Sequence, residues 1–249
     1  MSALDGEVWR DARAVVVPPP PRGIMPAMEL AARVEWIVDE VKRLRDRGVT
    51  TFGSETHGFR YASPLAEDEL VLLERGLGIV LPADYRAFLR HAGHGAGPYH
   101  GLVPPARWNE LLRPEPPMPD WAARPCVWTP ELPRDEATWQ RMSLVLEQPF
   151  AGAITICDQG SSYHAALVVT GPARGRVMYV SAAGGVPYFP EHDDFISWYE
   201  RWVDELRWGH RHEWFGMGMP GEESSLVTAA AADAPRRADA LQAMQRLPA

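Results

Sequence analysis

Residues 65–97, LAEDELVLLERGLGIVLPADYRAFLRHAGHGAG, hold the pattern that decides the fold of this chain. Pro82 lies in the middle of this stretch and has no backbone N–H and a fixed φ angle. It can therefore begin a helix but cannot lie inside one. Before it, leucines recur at helical spacing behind an acidic first turn, at Leu70, Leu73 and Leu77. The sequence predicts one helix that stops before a hinge at Leu81 and Pro82.

A second short helix is predicted directly after this hinge. Tyr85, Phe88 and Leu89 form one apolar face. Gly93 follows the last turn, where glycine commonly ends a helix. The stretch therefore folds as helix, turn, helix.

This arrangement resembles the SUKH superfamily, of the Smi/Knr cell-wall-regulator type. That family has an acidic helix ending in a Leu-Glu pair, a Leu-Gly turn, a Leu-Pro-x-x-Tyr/Phe helix start and a glycine-rich exit. The matching residues here are Leu73 with Glu74, Leu77 with Gly78, Leu81 and Pro82 with Tyr85, and the run from Gly93 to Gly97. The exit departs from the family pattern, because His94-Gly95 stands where the family usually has Asn-Gly.

Periodicity along the rest of the chain predicts an α+β fold that agrees with this resemblance. A long amphipathic helix is predicted over 29–47, with Gly48 as its stop, and a short strand over 99–103. Three strands follow at 153–157, 164–170 and 176–181, joined by tight turns into an antiparallel meander covered on one face. A closing aromatic helix spans 193–207, with Asp193 as its N-cap.

The predicted organisation is one domain with appendages. Residues 1–28 form an extended, proline-rich segment, residues 29–215 the SUKH-like domain, and residues 216–249 a mobile tail with a helix only near 236–246. The prolines and tryptophans of residues 104–150 mark an insertion without long regular elements. Packing on the core is favoured for this insertion over a partner-binding loop.

Composition limits the classes of partner and compartment. The 249 residues carry 33 acidic against 25 basic side chains, a formal net charge of -8, which disfavours nucleic acid and favours a basic protein partner. Two cysteines without a metal or disulfide pattern suit a reducing compartment. No segment reads as an export signal or a membrane span, so the expected location is the cytoplasm.

Candidate chemistry in the sequence is sparse. His57, His91, His94 and His100 are the best metal candidates, but their spacing matches no standard ligand pattern. Ser161 and Ser162 near His164 could suggest a small hydrolase, yet they lie in a predicted turn without a G-x-S-x-G motif. Cys157 ends an apolar strand, where a buried thiol is inert. We therefore predict no catalytic residue, no metal site, no cofactor and no small-molecule substrate.

Carboxylates near tryptophans are the predicted partner contacts. Asp158 at the rim of the sheet either holds its turn or faces a partner. Aromatic anchors surrounded by carboxylates suit the capture of a basic protein. The predicted partner-binding set is Trp108, Glu110, Glu115, Asp120, Trp121 and Asp158.

The resemblance implies a non-enzymatic binding protein. Bacterial members of the family are immunity proteins that occlude the active site of a cognate toxin, often a nuclease. Other members regulate cell-wall synthesis by organising further proteins, so a scaffold or regulatory interaction protein is the alternative. The small hydrolase remains a third hypothesis.

Overall fold

The computed structural model describes residues 29–109, 120–232 and 236–248. Within them, helix α1 spans Leu30–Asp46, α2 Glu67–Leu77 and α3 Ala83–His91. These bounds confirm the three helices predicted for the N-terminal half. The predicted proline-rich segment at residues 1–28 lies outside the described residues.

The hinge between α2 and α3 is held by one carboxylate. Glu74 accepts hydrogen bonds from the Leu81 backbone N–H at 2.9 Å and from Arg86 Nε at 3.2 Å. Pro82 occupies the N-cap of α3 with φ of -52°, and Tyr85 in the first turn is fully buried. The residues that carry the family resemblance therefore have structural roles here: they fix the angle between two helices.

Gly93 ends this pair of helices at a place where only glycine fits. Its φ is +89°, and a Cβ atom would lie 2.6 Å from the backbone oxygen of Ala62. The Ala62 N–H also donates to the His94 carbonyl at 2.8 Å. The glycine thus lets two chain segments approach closely.

The sheet is the predicted antiparallel meander. Strand β1 spans Ala153–Gly160, β2 Tyr163–Val168 and β3 Val177–Ser181, in the order β1-β2-β3. Register shifts interrupt the β1–β2 pairing between Thr155 and Cys157 and between Asp158 and Gly160. The chain is therefore of mixed α+β class, as predicted.

Both faces of this sheet are covered, whereas the sequence predicted cover on one. Alternating side chains enter two separate cores. One face, which includes Ile154, Leu167 and Tyr179, packs in the main core with α1, α3 and the closing helix at Phe195–Arg207. The opposite face, which includes Ala166, Met178 and Val180, packs against Trp128 of the insertion.

The insertion supplies this second layer. It contains a 3₁₀ helix at Pro105–Arg107 and helix α4 at Glu136–Val145, which uses a stretch free of proline. The ten residues of α4 form a regular element in a segment that was expected to hold no long ones. Trp139 stacks between Trp128 and Phe150, with ring centroids 6.0 and 6.2 Å apart. Residues 120–150 therefore pack on the sheet.

The strand predicted at 99–103 is wrong. Only isolated bridges form there, at Leu102 with Gly95 and with Cys157. Tyr99 and Gly101 have positive φ angles of 53° and 86°, which break an extended run. The segment still hydrogen-bonds to the outer edge of β1, because Val103 N–H donates to the Ile156 carbonyl at 2.9 Å.

The closing helix α5 spans Phe195–Arg207 and is the most buried helix. Its N-cap is Asp194, not the predicted Asp193. The Asp194 carboxylate accepts from the Ser197 N–H at 2.8 Å, whereas the Asp193 side chain points into solvent. Asp194 is the N-cap because its extended backbone places its carboxylate over the first turn of the helix.

The C-terminal segment is packed rather than extended away from the fold. Helices α6, Glu223–Ala231, and α7, Arg237–Met244, contact each other, and Leu226, Ala240 and Ala243 are buried. This packing differs from the mobile tail expected from the sequence, and α7 lies within the helix expected near 236–246. An ion pair between buried Arg246 and Glu205 of α5 helps to hold this segment on the fold, and no pattern in the sequence indicates that pair.

None of the described helices is both long enough and apolar enough to cross a membrane.

Candidate functional site

A large cleft in the described part of the chain lies where the β1–β2 turn and the end of β3 meet. It encloses about 710 Å³ and is lined mainly by aromatic side chains and turn backbone. Three of its aromatic residues come from separate segments of the chain and are exposed: Phe52 by 47%, Tyr163 by 53% and Trp214 by 67%. We call this the aromatic cleft.

The floor of the aromatic cleft is fixed by hydrogen bonds. Tyr99 and Tyr179 both donate their hydroxyls to the Phe215 carbonyl, at 2.9 and 3.0 Å. Trp198 Nε1 donates to the Tyr179 hydroxyl at 3.0 Å. Burial raises the pKa of both tyrosines well above the usual value, so the floor is neutral. A neutral, anchored floor beneath exposed rings suits binding rather than proton transfer.

Charge at the rim of this cleft is balanced. Arg134 lies over the Tyr188 ring, 4.4 Å from its centroid. Glu213, the neighbour of Trp214 in sequence, also lines the cleft. One cation and one carboxylate leave apolar contact as the main property of the cleft.

A second, smaller cleft lies next to the first. It encloses about 500 Å³, and its lining includes His57, His94 and His100. The Phe52 and His100 rings, 5.4 Å apart at their centroids, separate the two clefts. Arg60, Arg107 and Asp158 also line this space, which we call the basic cleft.

The four predicted partner-binding residues that the structure describes do not form one exposed surface. Trp108 and Trp121 are buried in the main core, where Trp108 packs 5.8 Å from the Tyr85 ring. Their rings therefore are not exposed anchors, which corrects that part of the prediction. Asp120 is exposed and lies 3.4 Å from Arg124 Nε. Glu110 and Glu115 lie outside the described residues.

Asp158 holds its own turn. Its carboxylate accepts from the Gly160 N–H at 2.8 Å and lies 3.8 Å from His164 Nδ1. This is the structural alternative that the sequence left open. The half-buried side chain also lines the basic cleft, so Asp158 is the one predicted contact that borders a described cleft.

The histidines considered for metal binding are partly gathered. His57, His94 and His100 line the basic cleft, whereas His91 is exposed at the end of α3. Across residues 29–109, 120–232 and 236–248, no three His, Cys, Asp or Glu side chains are grouped to hold a metal ion.

Two of the candidate nucleophiles, Ser162 and Cys157, contact groups other than His164, and Ser161 lines the aromatic cleft. Ser162 Oγ lies 3.5 Å from Ser181 Oγ, and His164 is buried with a pKa lowered by that burial. Cys157 Sγ donates to the Pro98 carbonyl at 3.0 Å, and burial raises its pKa well above the usual value. A raised thiol pKa disfavours the reactive thiolate.

Sequence reasoning missed the three exposed rings of the aromatic cleft. Phe52 and Trp214 lie in loops, and Tyr163 follows a turn at the first position of β2. No periodic pattern marks them, because periodicity reports burial on one face of an element. The only available signal was an aromatic residue next to glycines or polar turn residues.

No protein-family model matches this chain, and no curated protein matches it.

Proposed function

We propose that this protein is a non-enzymatic binding module that engages a protein partner at the aromatic cleft. We further propose that it acts as an immunity protein, which neutralises a cognate bacterial toxin by occluding the toxin's active site. The observation that carries the binding proposal is the convergence of Phe52, Tyr163 and Trp214 on one cleft. The immunity role is supported by the resemblance of the α2–α3 hinge to the SUKH superfamily.

Exposed tryptophan and tyrosine side chains are suited to dominate a protein interface. Such residues are enriched among the few positions that provide most of the binding energy. The anchored Tyr99 and Tyr179 floor reduces the entropy lost when a partner docks. The overall charge of -8 supports a basic partner, because it favours electrostatic encounter.

The test is a matched capture experiment with Trp214→Ala and Leu144→Ala. Leu144 is 85% exposed on α4, in the insertion, so its variant controls for the loss of an exposed apolar side chain elsewhere. The tagged chain is purified from its source cells, and the partner recovered is then expressed and titrated against each variant. We expect Trp214→Ala to weaken binding by about 2 kcal/mol or more, about thirtyfold in Kd, and Leu144→Ala to leave it unchanged.

The immunity role has its own readout. The partner expressed alone should arrest growth, and co-expression of the wild-type chain should restore growth better than Trp214→Ala. Equal loss of affinity in both variants would refute the aromatic cleft as the docking site. A partner that is harmless alone would refute the immunity role and favour the scaffold or regulatory alternative.

A further inference from the structure

The basic cleft has a local charge opposite to that of the whole chain. Among the residues that the structure describes, two arginines, three histidines and one carboxylate line it, in a protein whose formal net charge is -8. The carboxylate, Asp158, is already bonded to the Gly160 N–H at 2.8 Å. The space is therefore richer in hydrogen-bond donors and positive charge than in acceptors.

Arg60 provides the fixed positive charge of this cleft. Its backbone is anchored, because its N–H donates to the His57 carbonyl at 3.0 Å and its carbonyl accepts from the Ala96 N–H at 2.8 Å. Its side chain is exposed, and no carboxylate within residues 29–109, 120–232 and 236–248 lies at ion-pair distance from the guanidinium. An anchored backbone with an available guanidinium suits recognition of an anion.

The imidazoles divide into one structural ring and two rings that can serve a ligand. His57 Nδ1 accepts from the Phe59 N–H at 3.0 Å, and burial lowers the pKa of His57, so this ring belongs to the cleft wall. His100 is held by Thr56, whose hydroxyl lies 3.1 Å from Nδ1, and by the edge of Phe52. His94 is half-buried at the other side of the cleft.

Tightly packed backbone lines the basic cleft near His94 and His100, so the cleft has little room to collapse. Gly95 and Leu102 exchange hydrogen bonds of 3.0 and 2.8 Å across it. A Cβ atom on Gly101 would lie 2.1 Å from the Gly95 oxygen. The cleft therefore keeps its shape without a ligand, which lowers the cost of binding.

We propose that the basic cleft is a binding site for an oxyanion, with Arg60 supplying charge and His94 and His100 supplying ring N–H donors. The oxyanion is a phosphate ester or a carboxylate, because both accept hydrogen bonds from guanidinium and imidazole groups. This site is separate from the aromatic cleft, and the proposal does not rest on partner binding there.

The test follows the His94 and His100 ring signals of the full chain by NMR while inorganic phosphate is added at constant ionic strength. The matched variants are Arg60→Gln and Arg75→Gln, which remove the same charge; Arg75 is exposed on α2, away from the cleft. We expect saturable shifts of both rings in wild type and Arg75→Gln. Arg60→Gln should weaken binding about tenfold, equal to about 1.4 kcal/mol.

A parallel titration with acetate distinguishes the two sources. Preference for phosphate over acetate assigns a phosphate ester, and equal or stronger binding of acetate assigns a carboxylate. The proposal is overturned if neither anion gives saturable shifts, or if Arg60→Gln and Arg75→Gln weaken binding equally. Circular dichroism of both variants checks that each is folded.

Discussion

Glu205 of α5 is the centre of a buried ion-pair cluster in the C-terminal half of the molecule. It is fully buried between Arg201, whose Nε lies 2.7 Å from Oε1, and Arg246, which follows α7. Burial alone would raise the pKa of Glu205, but the two guanidinium groups outweigh burial and hold it below the usual value. Arg201 also donates to the Gly218 and Met219 carbonyls at 3.3 Å, so one charged cluster fixes both α7 and the loop before α6.

His212 makes this cluster sensitive to acid. Burial lowers the pKa of His212 to about 4, and the ring stacks on Phe215 with centroids 6.0 Å apart. The groups that act on it are Glu205, Arg246 and His210. Because an unfolded histidine titrates near 6.5, the unfolded chain binds a proton between about pH 6.5 and 4 that the folded chain does not.

We therefore expect the free energy of unfolding to fall as pH drops through this window. The expected slope from His212 is about 1.4 kcal/mol per pH unit, present below about pH 6. Urea unfolding of wild type and His212→Phe between pH 7 and 5 measures it, with exposed His91→Asn as control. His210, whose pKa is also lowered by burial, adds to the slope in all three proteins. An equal slope in His212→Phe and wild type would contradict the prediction.

At the scale of elements, the insertion is a structural layer for the sheet. Trp128 is fully buried against the face that includes Met178 and Val180, and its Nε1 donates to the Pro149 carbonyl. The stacked rings of Trp128, Trp139 and Phe150 tie α4 to that face. Removing this layer would expose one whole side of the meander.

Trp128→Ala should therefore lower the free energy of unfolding by about 3–5 kcal/mol, the usual cost of deleting a buried large aromatic ring. Trp214→Ala deletes the same type of ring from an exposed position and should change the free energy of unfolding by no more than about 0.5 kcal/mol. Chemical denaturation of both variants makes the comparison. A similar loss in both would mean that Trp214 supports the fold rather than a partner.

Elements could be predicted where one period dominates. Helices α1, α2, α3 and α5 and the three strands follow from apolar spacing, glycine stops and turn residues. The second face of the sheet was missed, although the consecutive apolar residues from Ala165 to Val169 are typical of a strand buried on both sides. The sequence did not predict the helix in the insertion, because the prolines on both sides of it favour irregular structure.

The candidate site was beyond sequence reasoning for a different reason. The aromatic cleft combines single residues from two loops and a strand end that are distant in sequence, and only the folded chain brings Phe52, Tyr163 and Trp214 together. The sequence predicts Trp108 and Trp121 as partner contacts because acidic residues lie near them in the chain. Both side chains are instead buried in the main core. Composition reports how many aromatic residues a chain has, but not which of them remain exposed.

At the scale of the whole molecule, we expect the net charge of -8 to speed the encounter with the basic partner proposed above. With the captured partner, we expect the association rate constant to fall by about tenfold or more as salt rises from about 0.01 M to about 0.15 M, because screening shortens the reach of the field. Trp214→Ala should act mainly on the dissociation rate, since it removes a short-range contact. Stopped-flow mixing separates the two rates. An association rate that rises with salt would show that the partner is acidic.

The hydrogen bonds along the two outer strands have a consequence for how this protein behaves when concentrated. Val103 covers part of the outer edge of β1, the edge that faces away from β2. Tyr188 exchanges hydrogen bonds of 2.7 and 2.9 Å with Tyr179 on the outer edge of β3. Open strand edges are the templates on which β-rich proteins polymerise, and capped edges block that route. A chain protected in this way can carry a cluster of solvent-facing aromatic rings with a smaller risk that its copies assemble, strand by strand, into fibrils.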